Sequence, residues 1–284
     1  MIASLAEDTR KQALRSLDKL PQLSPTVGQL LAALASADPD LRQLARIIGK
    51  DPALSGLVLS VANSAFFGGR SPVSDISEAI NRVGLGKLRR LTLGQSFSRI
   101  FNFGRTPPGW SSVRFHLHSA AVGAASDILR EYLPVPDEEH AFVAGLLHDL
   151  GKLLIVSAFP KEWRQLEDQA LWQKSGVLAE RELLGADHAE LSALAVERWK
   201  LPSPVADAVA RHHSPALESA TAVPLSRLIH AADTFINSLG ISVREKTPEQ
   251  DPVLPLFNGH SYHTDAFAAD FQKEWELLAA TCFR

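Results

Sequence analysis

Near its N-terminus the chain repeats one piece of punctuation. A helix-capping side chain is followed at once by proline, as Ser24-Pro25, Asp38-Pro39 and Asp51-Pro52. A capping oxygen accepts a hydrogen bond from a free amide of the first helical turn, and proline fits that turn because its missing N–H is no loss there. After each signal, apolar residues recur at helical spacing: Val27, Leu30, Leu31 and Leu34; then Leu41, Leu44, Ala45 and Ile48; then Leu54, Leu57, Val58, Val61 and Ala62. Gly49 is a plausible stop for the second of these helices. Ile76, Ala79, Ile80 and Val83 form a further face that ends at Gly84, and residues 87–100 carry Leu88, Leu91, Leu93 and Phe97. Helices are also expected at about 112–133, from Asp137 through Ala141 and Leu147, and at 188–200, 202–213, 225–239 and 264–280. No stretch alternates as a strand would, so the fold class is all-α.

Glycine and proline mark the breaks. The segment 66–72 reads as a loop, and 103–110 holds two Gly and two Pro. The latter is the expected boundary of a two-lobed molecule: an N-terminal helical lobe over 1–103, a second lobe over 110–240 and a C-terminal helical extension over 241–284. The 284 residues, 45% hydrophobic and 21% charged, suit a folded chain of that size. The formal net charge of −3 gives no overall attraction to nucleic acid or anionic membrane. The single Cys282 cannot form an internal disulfide, which fits a reducing, cytoplasmic setting. The first residues lack the basic start of a signal peptide. No uninterrupted apolar run approaches the roughly 18 residues of a membrane span, so no membrane association is expected.

The histidines carry the chemistry. Eight of the 10 lie between positions 116 and 230. His148-Asp149 sits inside the apolar run Gly145-Leu146-Leu147-His148-Asp149-Leu150-Gly151-Lys152. Burying such a pair without partners costs several kcal/mol, and a metal ion would satisfy both side chains. Neutral imidazole with carboxylate suits Fe, Mn or Zn rather than Ca or Mg. His118, His188, His212, His213 and Asp233 lie on or beside other expected helices, the way bundles assemble inward-facing metal sites. Five His and two Asp suffice for one or two divalent transition ions, with Asp149 bridging. Two ions about 3.5–4 Å apart can activate water and stabilise a phosphoryl transition state. Lys152, close to the pair along a helix, could meet a phosphate. Each residue also has a plainer reading. A lone His or Asp is usually a cap or surface residue, and His116, His140, His230, His260 and His263 are taken that way.

As a set, His118-Ser119, His148-Asp149-Leu150-Gly151-Lys152, His188, His212-His213 and Asp233 resemble the ordered signature of the HD superfamily, especially its HD-GYP branch of metal-dependent cyclic-dinucleotide phosphodiesterases. The chain is still more similar to the HDOD family, bacterial relatives of that helical fold. The words that carry this likeness are Leu20-Pro21-Gln22-Leu23-Ser24, Ile47-Ile48-Gly49-Lys50-Asp51-Pro52-Ala53-Leu54, Ala62-Asn63-Ser64-Ala65-Phe66-Phe67-Gly68, Ala141-Phe142-Val143-Ala144-Gly145-Leu146-Leu147-His148-Asp149 and Trp199-Lys200-Leu201-Pro202. The resemblance implies a signalling or regulatory module, for which catalysis is not a family expectation. Here the ligand set is intact, yet Ser214-Pro215-Ala216-Leu217-Glu218 follows the His pair where the phosphodiesterases have a Gly-Tyr-Pro loop.

Three functions follow. The leading one is a cytoplasmic signalling protein that binds a protein partner or a nucleotide-like ligand, with a metal centre in its second lobe. The alternative is a metal-dependent phosphohydrolase in which Asp149 and Lys152 take part in the chemistry. The third is nucleic-acid binding through Arg82, Lys87, Arg89, Arg90 and Arg99, against which a solvated charged face is the favoured reading.

Overall fold

The computed structural model describes residues 10–20, 23–34, 40–64, 66–67, 71–100, 107–166, 176–243, 255, 257 and 260–282. Its elements are helical, with no strand among the described residues beyond an isolated antiparallel bridge between Phe257 and His260. By packing, Met1–Pro21 with Phe101–Phe271 forms one unit, and Gln22–Ile100 with Gln272–Arg284 forms the other. These units are discontinuous in sequence, so they are a different partition from the three consecutive segments expected above.

The smaller unit holds α1 (Pro25–Leu34), α2 (Leu41–Gly49), α3 (Pro52–Ala62), α4 (Ile76–Val83) and α5 (Leu85–Ile100). Their apolar faces meet around Leu30, Leu44, Ile48, Leu54, Ile80 and Leu88, all essentially sealed from solvent. Ser24 Oγ accepts from the Val27 amide, and Asp51 accepts from the amides of Ala53 and Leu54. Asp38-Pro39 lies outside the described residues. The observed cap of α2 is Asp40, which accepts from the Arg42 amide at 2.8 Å, and Gly49 is the last helical residue, with Lys50 as the C-cap. Gly84 ends α4 at φ 84°, a conformation that favours glycine. Asn63 explains its place in the family word. It donates to the Val73 carbonyl (2.8 Å) and accepts from the Val73 amide (2.7 Å), closing the segment between α3 and α4.

Two of the basic residues considered for nucleic acid are internal, and Arg82 and Lys87 are half-buried. Arg89 and Arg90 are buried. Arg89 donates to the Leu34 carbonyl, while Lys87 and Arg90 pair with the buried Glu274 of the C-terminal helix α14 (Thr264–Cys282). Arg82 bonds the Ser71 carbonyl and pairs with Glu78.

The larger unit is built on α6 (Ser112–Leu129), buried continuously from His118 to Leu129. It continues with α7 (Ala141–Leu147), α8 (Leu150–Ala158), α9 (Pro160–Leu166), α10 (Gly176–Leu184), α11 (His188–Arg198), α12 (Ser203–Ala210), α13 (Leu225–Ser238) and the start of α14. The helix expected to reach residue 133 gives way after Leu129 to a 3-10 turn, Arg130–Tyr132. Asp137 makes no side-chain cap; it adopts a left-handed conformation before the turn Glu138–His140. The run Glu138–Ala158 is long and apolar enough, at a mean hydropathy of 1.5, to cross a membrane by length and composition. That corrects the expectation that no such run exists, which counted only uninterrupted apolar residues. Its most apolar window is 83% buried inside the protein.

Small residues bring together the helices that carry the candidate ligands. A Cβ on Gly145 of α7 would lie 2.8 Å from Gly123 Cα and 2.9 Å from the Val122 carbonyl oxygen of α6. The two backbones therefore touch at this crossing, which fixes the approach of α7 to the helix that carries His118. The same happens at Gly151, where a Cβ would stand 2.1 Å from the His188 carbonyl oxygen.

Candidate metal centre

His148 and Asp149 form the turn between α7 and α8 rather than lying within one helix. Both side chains are buried there, with exposures of 0% and 1%. His188 is the first residue of α11. Asp187 caps that helix by accepting from the Glu190 amide, which leaves the His188 ring at the helix start. His212 and His213 follow α12, which ends at Ala210, earlier than expected. His118 comes from α6 and Asp233 from α13. The structure brings all seven side chains together.

They form two groups. Asp149, His188, His212 and His213 offer ligand atoms within 4.8 Å of one another, and so do His118, His148 and Asp233. Asp149 joins the groups. Its Oδ2 lies 3.5 Å from both His118 Nε2 and His148 Nε2, while its Oδ1 lies 3.2 Å from His188 Nε2 and 3.9 Å from His212 Nε2. Asp233 Oδ1 is 3.2 Å from His118 Nε2 and 3.6 Å from His148 Nε2. Lys152 Nζ, 17% exposed, donates to Asp149 Oδ2 at 2.5 Å.

The inner nitrogens are prepared as ligands. Nδ1 of His118 donates to the Ile241 carbonyl, that of His148 to Gly145, and that of His212 to Val209, at 2.7–2.9 Å. His188 Nδ1 donates instead to the Glu180 carboxylate at 2.6 Å. With Nδ1 so engaged, each Nε2 is the atom that can give a lone pair to an ion. These nitrogens crowd together: His118 and His148 Nε2 are 3.3 Å apart, and His188 and His213 Nε2 are 2.8 Å apart. Asp149 Oδ1 and His212 Nε2 are buried without a hydrogen-bond partner. Buried acceptors gathered this closely need positive charge among them, so the donor set fits a divalent ion.

Without an ion, protons supply that charge. Burial opposes the charged form of His118, but Asp149 and Asp233 override it and raise the ring to about 9. Burial likewise opposes charge on His188, and Glu180 and Asp149 raise it to about 9. Burial would raise Asp149 and Asp233; His148 and Lys152 hold the first well below the usual carboxylate range, and His118 and His148 hold the second there. His212 is pushed well below the ordinary histidine value by burial and then by the neighbouring rings.

Residues 20–215 match the HDOD domain. The chain belongs to the HDOD family. It is also 30% identical over 201 residues to an uncharacterized protein of Treponema pallidum (strain Nichols), covering 70% of this chain and 38% of that longer relative. An HDOD domain protein of unknown function from Geobacter sulfurreducens shares the fold with a TM-score of 0.73 at 22% identity, over 97% of both chains. A candidate phosphohydrolase from Shewanella amazonensis SB2B aligns with a TM-score of 0.68 at 22% identity, over 95% of this chain and 98% of its own.

The remaining histidines of this HDOD chain fall outside both ligand groups. His230 Nδ1 donates to the His212 carbonyl and His260 Nε2 to the Ser219 carbonyl, while His140 stands beside Glu139. His116 is pushed down to about 4 by burial. Three residues that the sequence reading passes over shape the site. Glu180, 1% exposed, accepts from both the amide and the ring of His188. Asn237 donates to Asp233 Oδ1 at 2.6 Å. Ser192 Oγ accepts from the Gly151 amide and donates to the His188 carbonyl, both at 2.7 Å, tying α8 to α11. An (i, i+4) spacing signals Asn237, but Glu180 lies eight residues before its partner, beyond any within-helix rule.

Proposed function

We propose that this HDOD chain is a metal-dependent phosphohydrolase acting in a signalling pathway. In this reading His118, His148, Asp149, His188, His212, His213 and Asp233 hold one or two ions of Fe, Mn or Zn. The observation that carries it is the shared carboxylate: Asp149 turns one oxygen to each ligand group. Bound ions would supply Lewis acidity and an activated water for attack on phosphorus. The chain's own part is to orient the ligands through their outer nitrogens and to hold a cation, Lys152, at the edge of the site. Burial opposes charge on Lys152, but Asp149 and Asp233 keep it an ammonium, ready to offset charge on a phosphate oxygen. Protein loaded separately with Fe, Mn and Zn should hydrolyse a generic phosphodiester or a cyclic dinucleotide, and Asp149→Ala should abolish the activity. Background rates with every metal, or activity that survives Asp149→Ala, would overturn the proposal.

A second reading, a non-catalytic module that binds a protein partner or nucleotide-like ligand, is favoured by Ser214-Pro215-Ala216 after the His pair in place of a Gly-Tyr-Pro loop. Here the ion only staples the unit. Repeated pull-downs from native lysate should then return one specific partner. A cytoplasmic location belongs to both readings and is supported by the lone Cys282.

A further inference from the structure

The larger unit also holds a cavity of about 430 Å³ beside α12, at the start of α13. Three charged side chains line it: Asp137, Asp207 and Arg211. None of the three has a side-chain hydrogen bond or ion pair among the described residues. Asp207 and Arg211 stand four residues apart at the end of α12, a spacing that ordinarily favours pairing, yet no ion pair joins them. The N-terminus of α13 forms another wall. Pro224 stands at its cap position and offers no side-chain acceptor. The first amides engaged are those of Arg227 and Leu228, both by the Pro224 carbonyl, which leaves the Leu225 and Ser226 amides free among the described residues. Free amides at a helix start favour an anion. A second, independent observation marks the same spot. Ser226 lines the cavity at 6% exposure, and its hydroxyl has no partner among the described residues. A hydroxyl so enclosed lacks a hydrogen bond that a ligand can supply.

The charges select the ligand. Arg211 and a helix end worth about half a positive charge stand against two carboxylates. That balance disfavours a phosphate dianion and suits a molecule with one group of each sign. Pro136 and Leu217, the latter 85% exposed, add apolar surface. We propose that this cavity binds a free α-amino acid with an apolar side chain. Its carboxylate meets Arg211, the Ser226 hydroxyl and the amides at the start of α13; its ammonium meets Asp137 and Asp207; its side chain lies against Pro136 and Leu217. The site is separate from the candidate metal centre, because Asp233 lies two helical turns beyond Ser226, about 10 Å along α13.

Calorimetry on the full chain with L-leucine, L-valine, L-methionine and L-phenylalanine tests this, with no metal added and no turnover read. At least one of these should bind saturably, one per chain. The amide of the best binder, which lacks the carboxylate, and its deamino acid, which lacks the ammonium, should each bind about 10-fold more weakly or worse. Arg211→Gln, and the double change Asp137→Asn with Asp207→Asn, alter exposed positions. Each should weaken binding by about 10-fold at an unchanged melting temperature. No saturable heat with any of the amino acids, equal affinity for either analogue, or unaltered affinity in either folded variant would overturn the proposal. So would inorganic phosphate that binds more tightly than the amino acids and depends on Arg211. The analogues keep the test decisive if a variant fails to fold.

Discussion

Individual atoms at the centre make sharp demands. Gly151 is required because His188 passes directly against it. A methyl group there would sit 2.1 Å from a carbonyl oxygen, and backbone cannot yield as a flexible side chain can. Gly151→Ala should therefore cost about 1–3 kcal/mol and push Asp149 away from His188, with lower melting temperature and weaker metal uptake together. An unchanged melting temperature would count against the close packing. Protonation gives a second prediction at this scale. His118 and His188 are raised from 6.5 to about 9 in the ion-free protein. A histidine raised on folding contributes stability that is complete below its unfolded pKa and is lost as pH rises through its folded one. Chelator-stripped protein should thus lose stability between about pH 6.5 and 9, seen by thermal melts across that window. Ion-loaded protein, from which those protons have been expelled, should not follow the same curve. A flat profile for the stripped protein would show that these rings are not charged.

Among the elements, the helices with strong caps and long apolar faces were legible from the residues alone. Asp51, Pro52 and the row Leu54, Val58 and Val61 leave little room for another reading. The residues gathered at the candidate metal centre were legible as candidates as well, His148-Asp149 because a polar pair inside an apolar word needs a partner and the wider set through its resemblance to the HD signature. Helices α9 and α10 were not. The seven residues of α9 bury only Trp163 and Leu166, and in α10 the charged Glu180, Arg181 and Glu182 interrupt the apolar face. Glu180 is charged yet buried, so a pattern that assigns charge to the surface conceals it. The turn at His148-Asp149 was hidden for a related reason: apolar residues flank it on both sides, and neither glycine nor proline stands at the turn itself. In the smaller unit the link between α3 and α4 depends on Asn63. Asn63→Ala would leave the Val73 amide and carbonyl without their present partners, and should cost about 1–3 kcal/mol in chemical denaturation. A loss below a few tenths would mean that water replaces the asparagine freely.

Across the whole molecule, the discontinuous units explain why a sequential division is a poor guide to packing. Residues 10–20 pack with the unit that holds the candidate metal centre, where Arg10 bonds the Gly185 carbonyl and Glu190, and Arg198 pairs with Asp18. Both Arg10 contacts fall around the first turn of α11, which carries His188. An ion that binds only the folded state should raise stability by roughly 2.7 kcal/mol at one hundred times its dissociation constant, so added Mn or Zn should raise the melting temperature and Asp149→Ala should remove that rise. The claim beneath all of this is that side chains from five separate parts of the chain form one inorganic site. Elemental analysis of freshly purified protein, prepared without chelator and expressed as metal per chain, tests it most directly. The account predicts a ratio of about one to two Fe, Mn or Zn ions; a ratio near zero that supplementation does not raise would contradict it.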